Sequence, residues 1–279
     1  MYKISGFSDE INSEIDVQFS VLNKLGIRYF EPRGVNGKNI SDLTKEEVRD
    51  LKEKMQQYGI AASSIGSPIG KIKITDDFEE HKQKLINTIE TAKALGTKYI
   101  RVFSFFIENN EHERYRDEVL YRMREMARIA EENNVILLHE NEKDIYGDIA
   151  SRCKDIFDYV KSPALKGVFD PANFVQCGEE TYPNAFNLLK DNIVYMHIKD
   201  ALYKDKSVTP AGYGDGKVPE IIAELKKNGY DGFYSLEPHL GSFEGLAALE
   251  ISDEMLNLPK SGEGTFTLAY NSLMKILEG

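Results

Sequence analysis

Residues 135–142 of the chain are VILLHENE, and the two halves of that stretch make opposite demands. Val135–Leu138 is a short apolar run of the kind that forms a strand covered on both faces. It passes without a turn into His139-Glu140-Asn141-Glu142. Charge at the end of a core strand is costly unless it is paired or bound to a metal. The fold therefore turns on whether other strands end in the same way.

Apolar, strand-like runs recur at Lys3–Phe7, Ile27–Glu31, Ile60–Ser64, Tyr99–Ser104, Val135–Glu140, Gly167–Asp170, Ile193–His197 and Gly232–Glu237. Helix-period stretches lie between them, among them Lys45–Tyr58, Phe78–Leu95, Glu113–Asn133 and Val218–Asn228, and Gly264–Leu277 closes the chain. Asp76 with Glu79, and Thr44 with Glu47, have the spacing of N-caps with capping boxes. Gly59, Gly96 and Gly229 stand where helices want a left-handed end. Eight strand–helix units in 279 residues predict an α/β fold, a single (β/α)8 TIM barrel over residues 1–279, ahead of the competing doubly wound sheet. No Pro/Ser-rich linker or charge block suggests a domain boundary.

The later strands share one kind of ending. The fifth closes on Glu140 (LLHENE), the sixth on Asp170 (GVFDPAN), the seventh on His197 (VYMHIKD) and the eighth on Glu237 (FYSLEPH); the second closes on Glu31 (RYFEPR). In a barrel these ends share a rim, and the inward-pointing ones converge on the axis. Three carboxylates and an imidazole gathered there raise one another's pKa values. One divalent cation removes the conflict, and an O₃N set suits Mn²⁺, Mg²⁺, Co²⁺ or Zn²⁺. A single strand-end carboxylate is more often a helix cap, and a single histidine more often a hydrogen-bonded core residue. Four of them closing four successive strands are hard to assign to caps.

The totals bound the partners. A net charge of −11, without a dense Lys/Arg cluster, argues against a grip on nucleic acid. The apolar runs are too short to span a bilayer, the N-terminus lacks an apolar signal segment, and Cys153 and Cys177 are too few for a disulfide framework. The expectation is a cytoplasmic protein with reduced thiols.

HENE, FDPAN, HIKD and SLEPH, taken together and in that order, resemble the xylose-isomerase-like TIM barrels, a superfamily of sugar isomerases and epimerases that also contains endonuclease IV. The likeness runs from GFSDEI at the first strand to SLEPHL at the eighth. It implies that Glu140, Asp170, His197 and Glu237 bind one catalytic divalent metal ion, with Mn²⁺ the first expectation. It further implies that Glu140 and Glu237 act as the acid–base pair, as the first and last metal-binding glutamates do in ketose 3-epimerases. The activity to expect is isomerisation or epimerisation of a small ketose, aldose or related polyol ketone, by proton transfer through an enediolate that the metal's Lewis acidity stabilises. A metal-dependent lyase, such as an inosose dehydratase or a β-eliminating enzyme on a keto-sugar, begins with the same proton abstraction and is the runner-up. A non-catalytic sugar-binding barrel is the third reading. The nuclease branch, with three zinc ions, needs histidines this chain lacks: of its five, His81 and His112 fall in or beside helices. Asn173 stands where that branch has a histidine, and PAGYGDGKVP replaces its Asp-x-His pair.

Further substrate contacts are expected from position and strand parity. Glu31 is expected on sugar hydroxyls, the alternative being an ion pair with Arg33; Glu142 and Lys199 share the inward parity of Glu140 and His197. Ser64, Ser104 and His239 lie at strand mouths, Asn173 replaces a substrate-contacting histidine, and Lys71 ends SSIGSPIGK, which lacks Walker spacing. His139, of opposite parity, is expected to face the helices, Asp200 could orient a ligand, and Phe105 and Phe106 are expected in the core. Because only one of Arg101 and Ser104 can face inward, Ser104 is preferred and Arg101 is expected to face the helices. The connection over residues 241–262 is long enough for a lid or a subunit contact, so a homo-oligomer is compatible with the sequence.

Overall fold

The computed structural model describes residues 2–108, 111–240 and 262–279. The expected lid or subunit contact falls almost wholly outside them.

Eight parallel strands form the barrel: β1 Lys3–Gly6, β2 Tyr29–Phe30, β3 Ala61–Ala62, β4 Tyr99–Val102, β5 Ile136–Glu140, β6 Leu165–Phe169, β7 Ile193–Ile198 and β8 Phe233–Leu236. One continuous sheet runs β1-β8-β7-β6-β5-β4, and β2 pairs with β3. Two junctions complete the circle. Glu31 N donates to Gly6 O at 2.9 Å, joining β2 to β1, and Ile65 bridges Ile100, joining the end of β3 to β4. The fold is the expected α/β TIM barrel, although β2 and β3 are much shorter than their apolar runs.

The helices are α1 Ile15–Lys24, α2 Lys45–Tyr58, α3 Phe78–Leu95, α4 His112–Glu132, α5 Ala150–Val160, α6 Pro171–Gln176, α7 Phe186–Leu189, α8 Val218–Lys227 and α9 Gly262–Glu278. Thr44 and Glu47 form the expected capping box, and Gly59 and Gly96 end their helices in the left-handed region, at φ 66° and 79°. At α3 the cap is Asp77 rather than Asp76. Asp77 accepts from the Glu79 and Glu80 amides, while Asp76 accepts from Lys73 N in the preceding turn.

Strand parity sorts the side chains into two layers. Leu138, Val168 and Tyr195 pack together, with Tyr99 and Phe233 against them, low in the barrel. The residues two further along each of these strands are Arg101, Glu140, Asp170, His197 and Ser235. The barrel thus carries an apolar floor with a polar layer above it, at the ends of the strands where TIM barrels place their sites.

Candidate active site at the barrel mouth

Glu140 ends β5, Asp170 follows β6, His197 is the next-to-last residue of β7 and Glu237 follows β8. One ligand-capable atom from each of the four lies within 4.8 Å of the others, and all four residues are buried. Asp170 caps a helix with one oxygen and keeps the other for the cluster. Its Oδ1 accepts from Asn173 N at 2.9 Å, capping α6 with Pro171 at the first helical position. Its Oδ2 remains aimed at the cluster, where the Lys199 ammonium stands 2.9 Å away.

His197 is gripped from both sides. Nδ1 stands 3.2 Å from Glu140 Oε1 and 3.6 Å from Glu237 Oε2, while Nε2 stands 3.3 Å from Glu31 Oε2. Neither ring nitrogen has a hydrogen bond, nor does Glu140 Oε2. Buried polar atoms without partners are rare, and here they point at one another. Burial opposes a charge on His197, but the carboxylates of Glu140 and Glu31 outweigh it and push its pKa up to about 10. Burial likewise raises Glu140, yet His197 brings it down to about 2. Asp170 goes up to about 7, because burial exceeds the pull of Lys199. Glu237 is held well below the carboxylate range, since Lys199, His239 and His197 together overcome its burial. Such opposed shifts mark a cluster of strongly interacting groups, as functional sites hold. Three carboxylate oxygens and one imidazole nitrogen, buried and converging, fit one divalent ion.

The structure brings most of the expected substrate residues to this place. Lys199 Nζ pairs with Asp170 Oδ2 at 2.9 Å and Glu237 Oε2 at 2.7 Å. Asn173 Nδ2 donates to Glu140 Oε1 at 3.1 Å and to Asn141 O at 2.9 Å. On the rim, Lys71 Nζ meets Glu142 Oε2 at 3.2 Å, and His239 Nε2 lies 3.4 Å from Glu237 Oε1.

Three others stand elsewhere. Ser104 faces outward: its hydroxyl meets His139 Nε2 at 3.0 Å and accepts from Gly147 N at 2.8 Å. Just past β3 the inward residue is Ser63, whose hydroxyl meets Ser5 Oγ and Tyr195 Oη, and Ser64 is buried beside it without a partner. Glu31 points inward, toward the barrel floor below the cluster. It accepts from Tyr195 Oη at 2.9 Å and Ser235 Oγ at 2.7 Å, and it backs His197. Nor does it pair with Arg33, which reaches Asp9, Glu10 and Glu237. His139 faces the helix layer beside Phe157, as its parity implies. Phe105 lies in the core as expected, while Phe106 is half-buried. Asp200 meets no cluster residue and instead collects the amides of Ala201, Gly212, Gly214 and Gly216.

Parity reasoning also misplaced Arg101. It pairs in register with Leu138 and therefore points into the barrel, where Nη1 stands 3.3 Å from Glu140 Oε2 and 3.8 Å from Glu237 Oε1.

A (β/α)8 barrel with one buried acid–imidazole cluster at the strand ends is thus the class that fold and site define. The chain belongs to the xylose isomerase-like TIM barrel family, whose model matches residues 19–257. Solved structures of the same fold include the IolI protein with a bound zinc atom (TM-score 0.75, 18% identity, covering 99% of this chain and 98% of that one). A D-tagatose 3-epimerase-like protein matches at TM-score 0.74 and 18% identity, over 99% of this chain and 97% of the other. The probable 3-DHS dehydratase AsbF from Bacillus anthracis matches at TM-score 0.71 and 18% identity, over 97% and 98%. No curated protein matches the sequence. Among the described residues no helix is long and apolar enough to cross a membrane.

Proposed function

We propose that this protein is a divalent-metal-dependent isomerase or epimerase of a small ketose, aldose or polyol ketone. The observation that carries the reading is the buried convergence of Glu140, Asp170, His197 and Glu237. These four would hold the ion, Mn²⁺ by preference, with Mg²⁺, Co²⁺ or Zn²⁺ able to take the same donors. When bound, it supplies Lewis acidity to a carbonyl and a neighbouring hydroxyl oxygen.

The chain's own groups do the rest. Glu140 and Glu237 are the proton carriers: the cations around them lower both pKa values, which favours the ionised form the base needs. The partner that returns the proton must enter the step protonated. Their settings differ. Asn173 and Arg101 flank Glu140, whereas Lys199, Arg33 and His239 surround Glu237. Glu31 fixes the His197 ring by standing against Nε2, which leaves Nδ1 toward the cluster. Lys71, Glu142, Lys199 and His239 line the mouth as substrate-facing groups, and Asn173 orients Glu140. The fold likeness to an epimerase-like protein and to a probable dehydratase supports sugar-like substrates and keeps the lyase reading as runner-up.

The test is incubation of the Mn²⁺-loaded protein with ketoses and keto-inositols in D₂O. Isomeric products carrying solvent deuterium support the proposal. Loss of water from the substrate makes the protein a lyase, and bound sugars that never exchange make it a binding protein.

A further inference from the structure

Arg101 is a buried cation whose place the expected site does not explain. Its side chain is 6% exposed, and its guanidinium stands 4.8 Å from the Phe7 ring centroid and 4.9 Å from that of Phe103. Nε donates to Ser67 O at 3.4 Å and Nη2 to Gly66 O at 3.2 Å, while Ser67 Oγ donates back to Arg101 O at 2.5 Å. The loop supplying those carbonyls is itself fixed. Gly70, at φ +91°, packs so tightly that a Cβ there would lie 2.0 Å from Phe103 O, and its amide donates to His81 Nε2 at 2.7 Å. The fork therefore has one orientation. Its bracing edge holds the loop and its remaining amino group, Nη1, is turned to the cluster. Nη1 makes no hydrogen bond among the described residues, although Glu140 and Glu237 lie within 4 Å.

A guanidinium stays charged at any working pH, so Nη1 is no proton carrier. Both carboxylates it faces belong to the cluster assigned to the ion, whose positive charge repels the guanidinium. An oxygen that carries or gains negative charge, placed between them, turns that repulsion into two attractions.

We propose that Arg101 is a substrate-binding catalytic residue, its Nη1 donating to the substrate oxygen on which negative charge develops. The ligand class this selects is a small molecule with an enediolate-forming or carboxylate oxygen beside a hydroxyl. The assignment rests on the metal-dependent reading above, but it holds for isomerase and lyase alike.

The probe is glycolohydroxamate, a small planar mimic of an enediolate, titrated calorimetrically into the Mn²⁺-loaded protein. Arg101→Met is expected to weaken hydroxamate binding about 10- to 100-fold, the range for a lost charge-assisted hydrogen bond. Its Mn²⁺ affinity is expected to match or exceed that of the wild type, because a repelling charge has gone. Equal hydroxamate affinity in the two proteins overturns the proposal and leaves Arg101 as a loop brace. Parallel loss of Mn²⁺ affinity, or a wild type that ignores the hydroxamate, overturns it as well. Should Arg101→Met not fold, Arg101→Gln, which keeps a donor for the Gly66 and Ser67 carbonyls, carries the same comparison. Deuterium exchange into sugars plays no part in this titration, so the proposed activity and the role of Arg101 can fail separately.

Discussion

Lys199 Nζ lies 2.7 Å from Glu237 Oε2, and both side chains are buried. With Asp170 Oδ2 at 2.9 Å, the ammonium bridges two carboxylates of the cluster. Removing one partner of a buried ion pair costs about 3–5 kcal/mol, because the other charge stays behind. Lys199→Met should lose that much stability in urea unfolding without metal. A bound divalent ion supplies positive charge to the same oxygens, so Mn²⁺ should raise the unfolding midpoint of the variant more than that of the wild type. An equal rise in both proteins refutes this.

Glu31 works through His197. Its Oε2 takes hydrogen bonds from Tyr195 and Ser235 and stands 3.3 Å from Nε2 of the ring. Glu31→Gln keeps the shape but removes the charge that favours the imidazole orientation. Loss of such a partner typically costs about 10- to 100-fold in metal affinity. Competition with a fluorescent chelator measures it, and wild-type affinity in the variant would contradict the role.

Asp200 holds the PAGYGDGK loop from within, collecting the amides of Ala201, Gly212, Gly214 and Gly216 at 2.7–3.1 Å. A Cβ on Gly214 would lie 2.4 Å from Asp200 Oδ1 and 2.6 Å from Ala201 O. Gly214→Ala should therefore destabilise by about 1–3 kcal/mol or more, as overpacking does. Because the loop follows the strand that bears His197 and Lys199, limited proteolysis there should accelerate as well. A variant as stable and as protease-resistant as the wild type would show that the loop is loosely built.

His81 gives a pH signature outside the cluster. Burial, and then the charges of Lys84 and Arg122, lower its pKa to about 4, and its Nε2 accepts from Gly70 N. A histidine lowered on folding takes up a proton more readily when unfolded. Its contribution is therefore complete above the unfolded value near 6.5 and is lost as pH falls toward about 4. Between those limits the wild type should lose about 2–3 kcal/mol more than His81→Gln in urea titrations. Parallel pH profiles would contradict this.

The sequence already showed the strands, their order and the four cluster residues, because charge ending an apolar strand is anomalous wherever it occurs. Orientation was harder to see. IRVFSFF is apolar around its polar residues, and barrel strands are covered on both faces, so no alternation tells which side is the interior. Register decides it: Arg101 pairs with Leu138, which shares the inward parity of Glu140. An inward arginine also contradicts the usual preference for keeping charge out of a barrel, until its carbonyl partners on the preceding loop are seen. The same ambiguity exchanged Ser63 with Ser64. Glu31 shows a different gap. Its place at a strand end put it at the mouth, but depth along the axis depends on the tilt and stagger of neighbouring strands, which no single segment encodes.

The most direct measurement is the number of ions each chain holds. Metal-free protein titrated with Mn²⁺ and assayed by mass spectrometry of the metal should take up one ion per chain. Asp170→Ala should take up none at the same free concentration. A wild type that binds no divalent ion, or an Asp170→Ala variant that binds it as tightly, would contradict a shared centre built from Glu140, Asp170, His197 and Glu237.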